Sequence, residues 1–295
     1  MTQQIMFGGN WTQQKLTILS KYLRAYRKIF EKNERARYFE ITYVDAFAGT
    51  GVIPRPELED TLPGLIPELV EAEEGFRKGS VRRALEVDPP FHQYVFIECD
   101  QAKCEELSAI RDEFINKKIC IINGDANAEL LKWCAQMDAK HQRAVIFLDP
   151  FGAAVEWKVI EAIANTRAVD LWILFPYGAV NRMLTRDKRP SDSWCDKLTR
   201  IFGTAEWESR FYSSNTTVSI FDQDQEIEQV YKTADRNAVI QFFTERLKTV
   251  FTEVAKPGLL FNSKNLLFVL FFAASNKTGG KIANDLLRDI AIDLL

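Results

Sequence analysis

The sequence predicts an α/β fold: a mostly parallel sheet with helices on both faces. Three observations carry that expectation. Apolar, β-favouring runs recur five times before residue 178, with helical stretches between them. The first run ends in a Gly-x-Gly loop, and acids stand at the ends of the first four. Apolar strands separated by helices imply parallel pairing with both faces of the sheet covered.

The first element is a helix. In "KLTILSKYLRAYRKIF", Leu16, Leu19, Leu23, Tyr26 and Phe30 recur at spacings of three and four, the stripe of a helix that buries one face. Lys21, Arg24, Lys28, Lys32 and Arg35 fall on the opposite face, which is either simply solvated or meets phosphates. The strands are then expected at 41–47 ("ITYVDAF"), 91–99, 119–125, 143–151 and 169–177. Helices are expected at 101–116 and 126–138, and "RNAVIQFFTERLKTVF" is a third. Near the end, "GLLFNSKNLLFVLFFAAS" predicts an antiparallel hairpin about a turn at Asn262–Asn265, followed by a helix from near Gly280.

Two segments interrupt the rhythm. Residues 52–90 are longer than one helix needs; within them "GSVRRALEV" predicts the first crossover helix, with Ser80 as its N-cap. Residues 178–236 carry Arg182, Arg186, Lys188, Arg189, Lys197 and Arg200, with Trp194, Phe202, Trp207, Phe211 and Tyr212 among or after them. The chain therefore divides into a core of 1–177 with 237–295 and an inserted recognition segment, 178–236. Insertions at the carboxyl ends of strands lie beside the ligand crevice of an open sheet.

Composition narrows the function. At 295 residues, 46% hydrophobic and 27% charged, the chain can bury a real core. A net charge of -3 argues against a wholesale polyanion binder while leaving local basic patches open. Five scattered cysteines without a Cys-x-x-Cys pair point to neither a disulfide framework nor a zinc site. The N-terminus reads as no secretory signal, and the longest apolar run, 266–274, is too short to cross a bilayer. A cytoplasmic protein with no membrane partner is expected. His92 and His141 read as surface residues, so no Ser-His-Asp or Cys-His site is expected, and no Gly-Lys-Ser/Thr phosphate loop occurs. Cys99 and Cys104 read as packed thiols.

The carboxyl ends of the strands hold the chemistry. The first offers Asp45 and the loop "AFAGTG", the second Glu98 and Asp100, the third Asp125, the fourth Asp149-Pro150-Phe151. In a doubly wound sheet these acids converge on one crevice. An acid after the second strand suits a ribose hydroxyl pair, in nicotinamide and adenosylmethionine binders alike. The loop discriminates. A pyrophosphate needs a third glycine so that the helix N-terminus can approach. Here that place is Pro54, and Asp45, four residues before Gly49, repels a pyrophosphate while suiting an ammonium. This favours S-adenosylmethionine over NAD. The other reading of Gly49 and Gly51 is an ordinary strand-to-helix turn.

Were the acceptor an exocyclic base amine, as the resemblance named below implies, Asp149 and the carbonyl of Pro150 would accept from it and localise its lone pair, with Phe151 stacking on the extruded base. The alternative is a strand stopped by proline, with Asp149 a buried cap.

Together these motifs resemble class I adenosylmethionine-dependent methyltransferases. More narrowly, "YVDAFAGTG", "FIECD", "INGDAN", "IFLDPFG" and "WILFPYG" are similar to segments of the three-Cys-motif partner protein family, over about residues 15–290. The resemblance implies a Rossmann-like, seven-stranded sheet whose last strand is antiparallel, plus a helical insertion. It implies a loop of Phe47, Ala48, Gly49 and Gly51 around the methionyl end of S-adenosyl-L-methionine. Glu98, with Asp100 next in line, would take the ribose, and Asp125 with Ala126 the adenine. It implies methyl transfer to a nucleic acid base amine, adenine N6-like, in DNA or RNA, and a partner protein with a three-cysteine motif. Amino-group methyltransferases carry a second proline before the aromatic; this chain has one, which displaces Phe151 by a residue. Two other readings stand beside it: a catalytically silent cofactor-binding protein working with its partner, and a nicotinamide-dependent reductase, which Pro54 and Asp45 disfavour.

Overall fold

The computed structural model describes residues 9–48, 80–150, 155–218, 226–262 and 265–292. The expectations placed on Gly49, Gly51, Pro54 and Phe151 lie outside these residues. Five strands form a parallel sheet: β1 (Glu40–Asp45), β2 (Gln93–Glu98), β3 (Ile119–Asn123), β4 (Gln142–Leu148) and β5 (Val169–Phe175). Three more complete it at one edge: β8 (Glu253–Val254), β9 (Gly258–Asn262) and β10 (Asn265–Ala274). The order is β3-β2-β1-β4-β5-β10-β8, with β9 also on β10, and β10 runs antiparallel to β5. This is a doubly wound, Rossmann-like sheet with a reversed penultimate position.

The eight strands occupy seven positions. β8 and β9 pair with the same edge of β10, β8 at Ala273–Ala274 and β9 along residues 265–270. Pro257 lies between them and has no N–H for the ladder, so one strand is broken in two.

Strand alternation gives each sheet face its own core. One face carries Ile41, Tyr43, Tyr94, Phe96, Val145, Phe147, Trp172 and Leu174, and is covered by α1 (Gly9–Lys32), the helical residues 80–85, α2 (Gln101–Glu113) and α9 (Lys277–Ile292). The other carries Val44, Val95, Ile146, Leu171 and Ile173 under α3 (Ala126–Gln136), α4 (Trp157–Asn165) and α8 (Arg236–Val250). α1 keeps the predicted stripe: Leu19, Leu23 and Tyr26 are buried, and Lys21, Arg24, Lys28 and Lys32 are exposed. At the amino end of β5, Asp170 is 3% exposed and accepts from Tyr22 Oη of α1 (2.6 Å) and from Asn276 Nδ2 (3.1 Å). No described helix is long and apolar enough to cross a membrane.

α9 starts at Lys277, before the expected Gly280. Asn276 Oδ1 accepts from Gly279 N–H (2.8 Å) and caps it. The two glycines lie inside the first turn because the backbone there is pressed on its neighbours: a Cβ on Gly279 would stand 2.6 Å from Asp170 Oδ2. Glycine signals close approach at this point, not a helix start.

The segment 178–236 is helical in its first half: α5 (Tyr177–Met183) begins one residue before it, and α6 (Asp192–Phe202) and α7 (Glu206–Phe211) follow. A hairpin, β6 (Tyr212–Val218) with β7 (Glu226–Lys232), completes it as a separate two-stranded sheet. Its aromatic residues are mostly interior. Phe202, Trp207 and Phe211 are at most 1% exposed; Phe202 and Phe211 pack on Phe242 of α8 with ring centroids 5.3 and 5.2 Å apart. α6 ends at Gly203 with φ +70°, where a Cβ would meet the Trp157 ring at 2.0 Å.

Candidate active-site crevice

The sheet reverses its winding between β1 and β4, and the crevice of such a fold opens at the carboxyl ends of those strands. Asp45, the last residue of β1, pairs in register with Phe96 of β2 and Phe147 of β4. Glu98 and Asp149 lie two residues further along those flanking strands. An offset of two returns to the same face, so the three carboxylates stand on one side of the sheet, within roughly 10 Å of one another. All three are buried: Asp45 1%, Glu98 4% and Asp149 1% exposed.

Each is held differently. Asp45 Oδ1 accepts from Phe47 N–H (3.2 Å), and Oδ2 accepts from Ser80 Oγ (3.1 Å). The loop is also stitched to both neighbouring strands: Ala46 N–H donates to the Phe147 carbonyl and Ala48 N–H to that of Ile97. Asp45 thus braces the loop from below and ties it to the helical segment 80–85. Ser80, expected as an N-cap, is buried and donates its hydroxyl to this carboxylate.

Glu98 Oε1 accepts from Asp100 N–H (2.9 Å) and from the Cys99 thiol (3.4 Å). Asp100 is the N-cap of α2, accepting from Ala102 N–H and Lys103 N–H. Asp125 is likewise the N-cap of α3, accepting from Ala128 N–H (2.8 Å), with Ala126 buried behind it. Gly124 N–H donates to the Glu98 carbonyl and brings this cap to the same rim. Asp100 and Asp125 therefore have helix-capping roles whatever they bind, while Glu98 is the acid enclosed in the crevice wall. Pro150 is buried and shares an apolar pocket with Pro176 at the end of β5, which joins the fourth and fifth strand ends.

Two side chains here escaped the sequence reading. Tyr43 lies two residues before Asp45 on the same face and is wholly buried. Burial raises its pKa well above the usual phenol value, and the Asp45 and Asp149 carboxylates raise it further, so it stays neutral beneath them. The period-two pattern of β1 held that signal. Lys103, one helical turn after the N-cap, is 6% exposed with Nζ 3.9 Å from Asp100 Oδ2. Nothing in its sequence neighbourhood distinguishes it from a solvated lysine.

The remaining expectations concern the rejected chemistries. Cys104 is buried as expected, whereas Cys99 is exposed: it follows the last residue of β2, where the chain leaves the sheet. His141 is exposed on Asp138 (2.7 Å). His92, also exposed, lies at the amino end of β1, where its Nδ1 accepts from Ile41 N–H (2.8 Å) on the edge away from the crevice. No group of three or more metal-ligating side chains occurs among the described residues.

Three buried carboxylates on one wall make a negative site suited to a cationic ligand and hostile to a pyrophosphate. Comparison with known families and with curated proteins finds no match. Among solved structures, the chain is similar to the N-terminal domain of EvdMO1 with SAH bound, at 8% identity over 88% of this chain and 81% of that one, with a TM-score of 0.37. It is similar to an S-adenosylmethionine-dependent methyltransferase from Clostridium acetobutylicum, at 9% identity over 88% and 92%, with a TM-score of 0.35. A third is spermidine synthase in complex with the transition-state analogue AdoDATO, at 9% identity over 95% of this chain and 65% of that one, with a TM-score of 0.42. The chemistry of the crevice rests on its own side chains.

Proposed function

We propose that the crevice binds S-adenosylmethionine and that the protein transfers its methyl group to an exocyclic amino group of a nucleic acid base, adenine N6-like. The observation that carries this reading is the set of three buried acids, Asp45, Glu98 and Asp149, on one face at the winding reversal. In it, the loop braced by Asp45 takes the methionyl end, and the wall's negative charge favours the ammonium and sulfonium. Glu98 accepts from the ribose hydroxyls. Asp125 and Ala126 flank the adenine, and Asp149 with Pro150 faces the acceptor amine. Asp100 serves by holding Glu98 and α2 in place. The quoted motifs support a place in the three-Cys-motif partner protein family, with a three-cysteine partner and a cytoplasmic location as part of the same reading.

A binding experiment tests the cofactor. S-adenosylhomocysteine is expected to give a calorimetric heat and a thermal shift, and NAD neither; a response to NAD alone would end the reading. Glu98→Ala should weaken S-adenosylhomocysteine binding by about 1–3 kcal/mol, because a charged acceptor to the ribose is lost. Unchanged affinity would remove Glu98 from the ribose site.

A further inference from the structure

The basic residues of the inserted segment fall into two groups. Arg189 donates to Glu208 (3.0 Å) and Asp192 (2.9 Å), and Arg210 meets Glu245 at 3.0 Å, so their charge is neutralised on the spot. Arg186 and Lys232 are arranged differently. β7 ends at Lys232, whose N–H donates to the Arg186 carbonyl (2.8 Å) and whose ammonium donates to Asn181 Oδ1 (2.7 Å). Among the described residues neither cation has a carboxylate in ion-pair reach, whereas Arg189 and Arg210 do. Burial lowers the Lys232 pKa, and the Arg186 guanidinium lowers it further.

Arg186 and Lys232 are joined backbone to backbone, and a half-buried ammonium near a second cation costs stability unless an anion joins them. Their position says which anion. Asn181 lies on α5, which begins just after β5, little more than one helical turn from the helix start. β5 pairs with β4, so that strand end stands beside the one that leads to Asp149 and Pro150, and Pro150 and Pro176 line one apolar pocket. The cluster therefore flanks the acceptor side of the crevice. A guanidinium, an ammonium and the amide NH2 of Asn181, whose Oδ1 already accepts from Lys232, are all donors of the kind that bind the two free oxygens of a phosphodiester. Arg182 and Lys188, both exposed, extend the positive rim, with exposed Asp187 the acid next to Arg186 in sequence.

We infer that Arg186, Lys232 and Asn181 bind a backbone phosphate of the nucleic acid whose base enters the crevice. The inference rests on the reading of the acceptor as a nucleic acid, and its test separates the two. The measurement is fluorescence anisotropy of labelled mixed-sequence single-stranded DNA and RNA over a salt series. Arg186→Gln and Lys232→Gln should each weaken binding about tenfold and lower the slope of log affinity against log salt by about one. Lys232→Arg should bind like the wild type. Lys21→Gln, an equal charge change on α1 across the sheet, is the comparator and should cost less. The Arg186 side chain is exposed and makes no described hydrogen bond, so its variant tests the site even if Lys232→Gln folds poorly. Wild-type binding with an unchanged slope in both variants, or equal losses in Lys21→Gln, overturns the phosphate site while leaving the nucleic acid acceptor standing. A wild type that binds neither probe overturns both.

Discussion

Replacing Asp149 with alanine should abolish methyl transfer while leaving the cofactor bound. In the proposed mechanism the cofactor is held by the ends of β1, β2 and β3, and Asp149 stands directly after β4, beyond the transferring methyl. An exocyclic amine has its lone pair delocalised into the base. A carboxylate oxygen accepting a hydrogen bond from the amine N–H localises that pair toward the methyl as the bond forms, an interaction that strengthens in the transition state. Removing such a group costs roughly two or more orders of magnitude in rate. The readout is labelled-methyl transfer to mixed DNA and RNA pools, with S-adenosylhomocysteine affinity measured on the same samples. Asp149→Asn is the finer probe and keeps the buried volume: partial activity means that hydrogen-bond acceptance suffices, and little activity means that charge is required. Transfer that survives Asp149→Ala ends the mechanism. A wild type inactive on every pool favours the catalytically silent reading, unless activity appears when a protein of the proposed three-cysteine type is added.

The second large effect concerns stability at the other end of the sheet. Asp170 is pushed up from 3.8 to about 6, because burial outweighs the lowering by Tyr22, Asn276 and Arg143. Tyr26 packs beside them, and its own pKa and that of Tyr22 are raised well above 10, so both remain neutral donors. A carboxyl whose folded pKa lies above its unfolded one binds its proton more tightly when folded. Its contribution to stability is therefore fullest below about pH 4 and falls as pH rises toward about 6, by about 3 kcal/mol in all. Asp170→Asn keeps the shape and an acceptor for Tyr22 without the charge. It should match the wild type near pH 4 and exceed it by up to about 3 kcal/mol at pH 7.5, as read from urea unfolding midpoints at the two pH values. A variant whose deficit or gain is the same at both pH values would show that Asp170 does not titrate in this range.

Sequence alone determined the alternation of strands and helices, because the patterns behind it are local. Leu19, Leu23 and Tyr26 repeat with the period of a helix, and the runs at 41–47 and 143–151 are apolar on both faces, as a covered parallel strand must be. It also put Asp45, Glu98, Asp125 and Asp149 at strand ends, since that follows from where each apolar run stops. What it left open depends on residues far apart in the chain. Asp100 and Asp125 look like Glu98 in sequence, yet they cap helices while Glu98 is enclosed, a difference set by which carboxylate the neighbouring strands cover. Gly280 reads as a helix start until Asp170 and Glu253, on other strands, are seen pressing on that turn. Arg186 and Arg189 are three residues apart and equivalent by composition. Only the folded chain brings Glu208 to one and Lys232 to the other, and that distant pairing decides which charge is neutralised by a carboxylate and which is not.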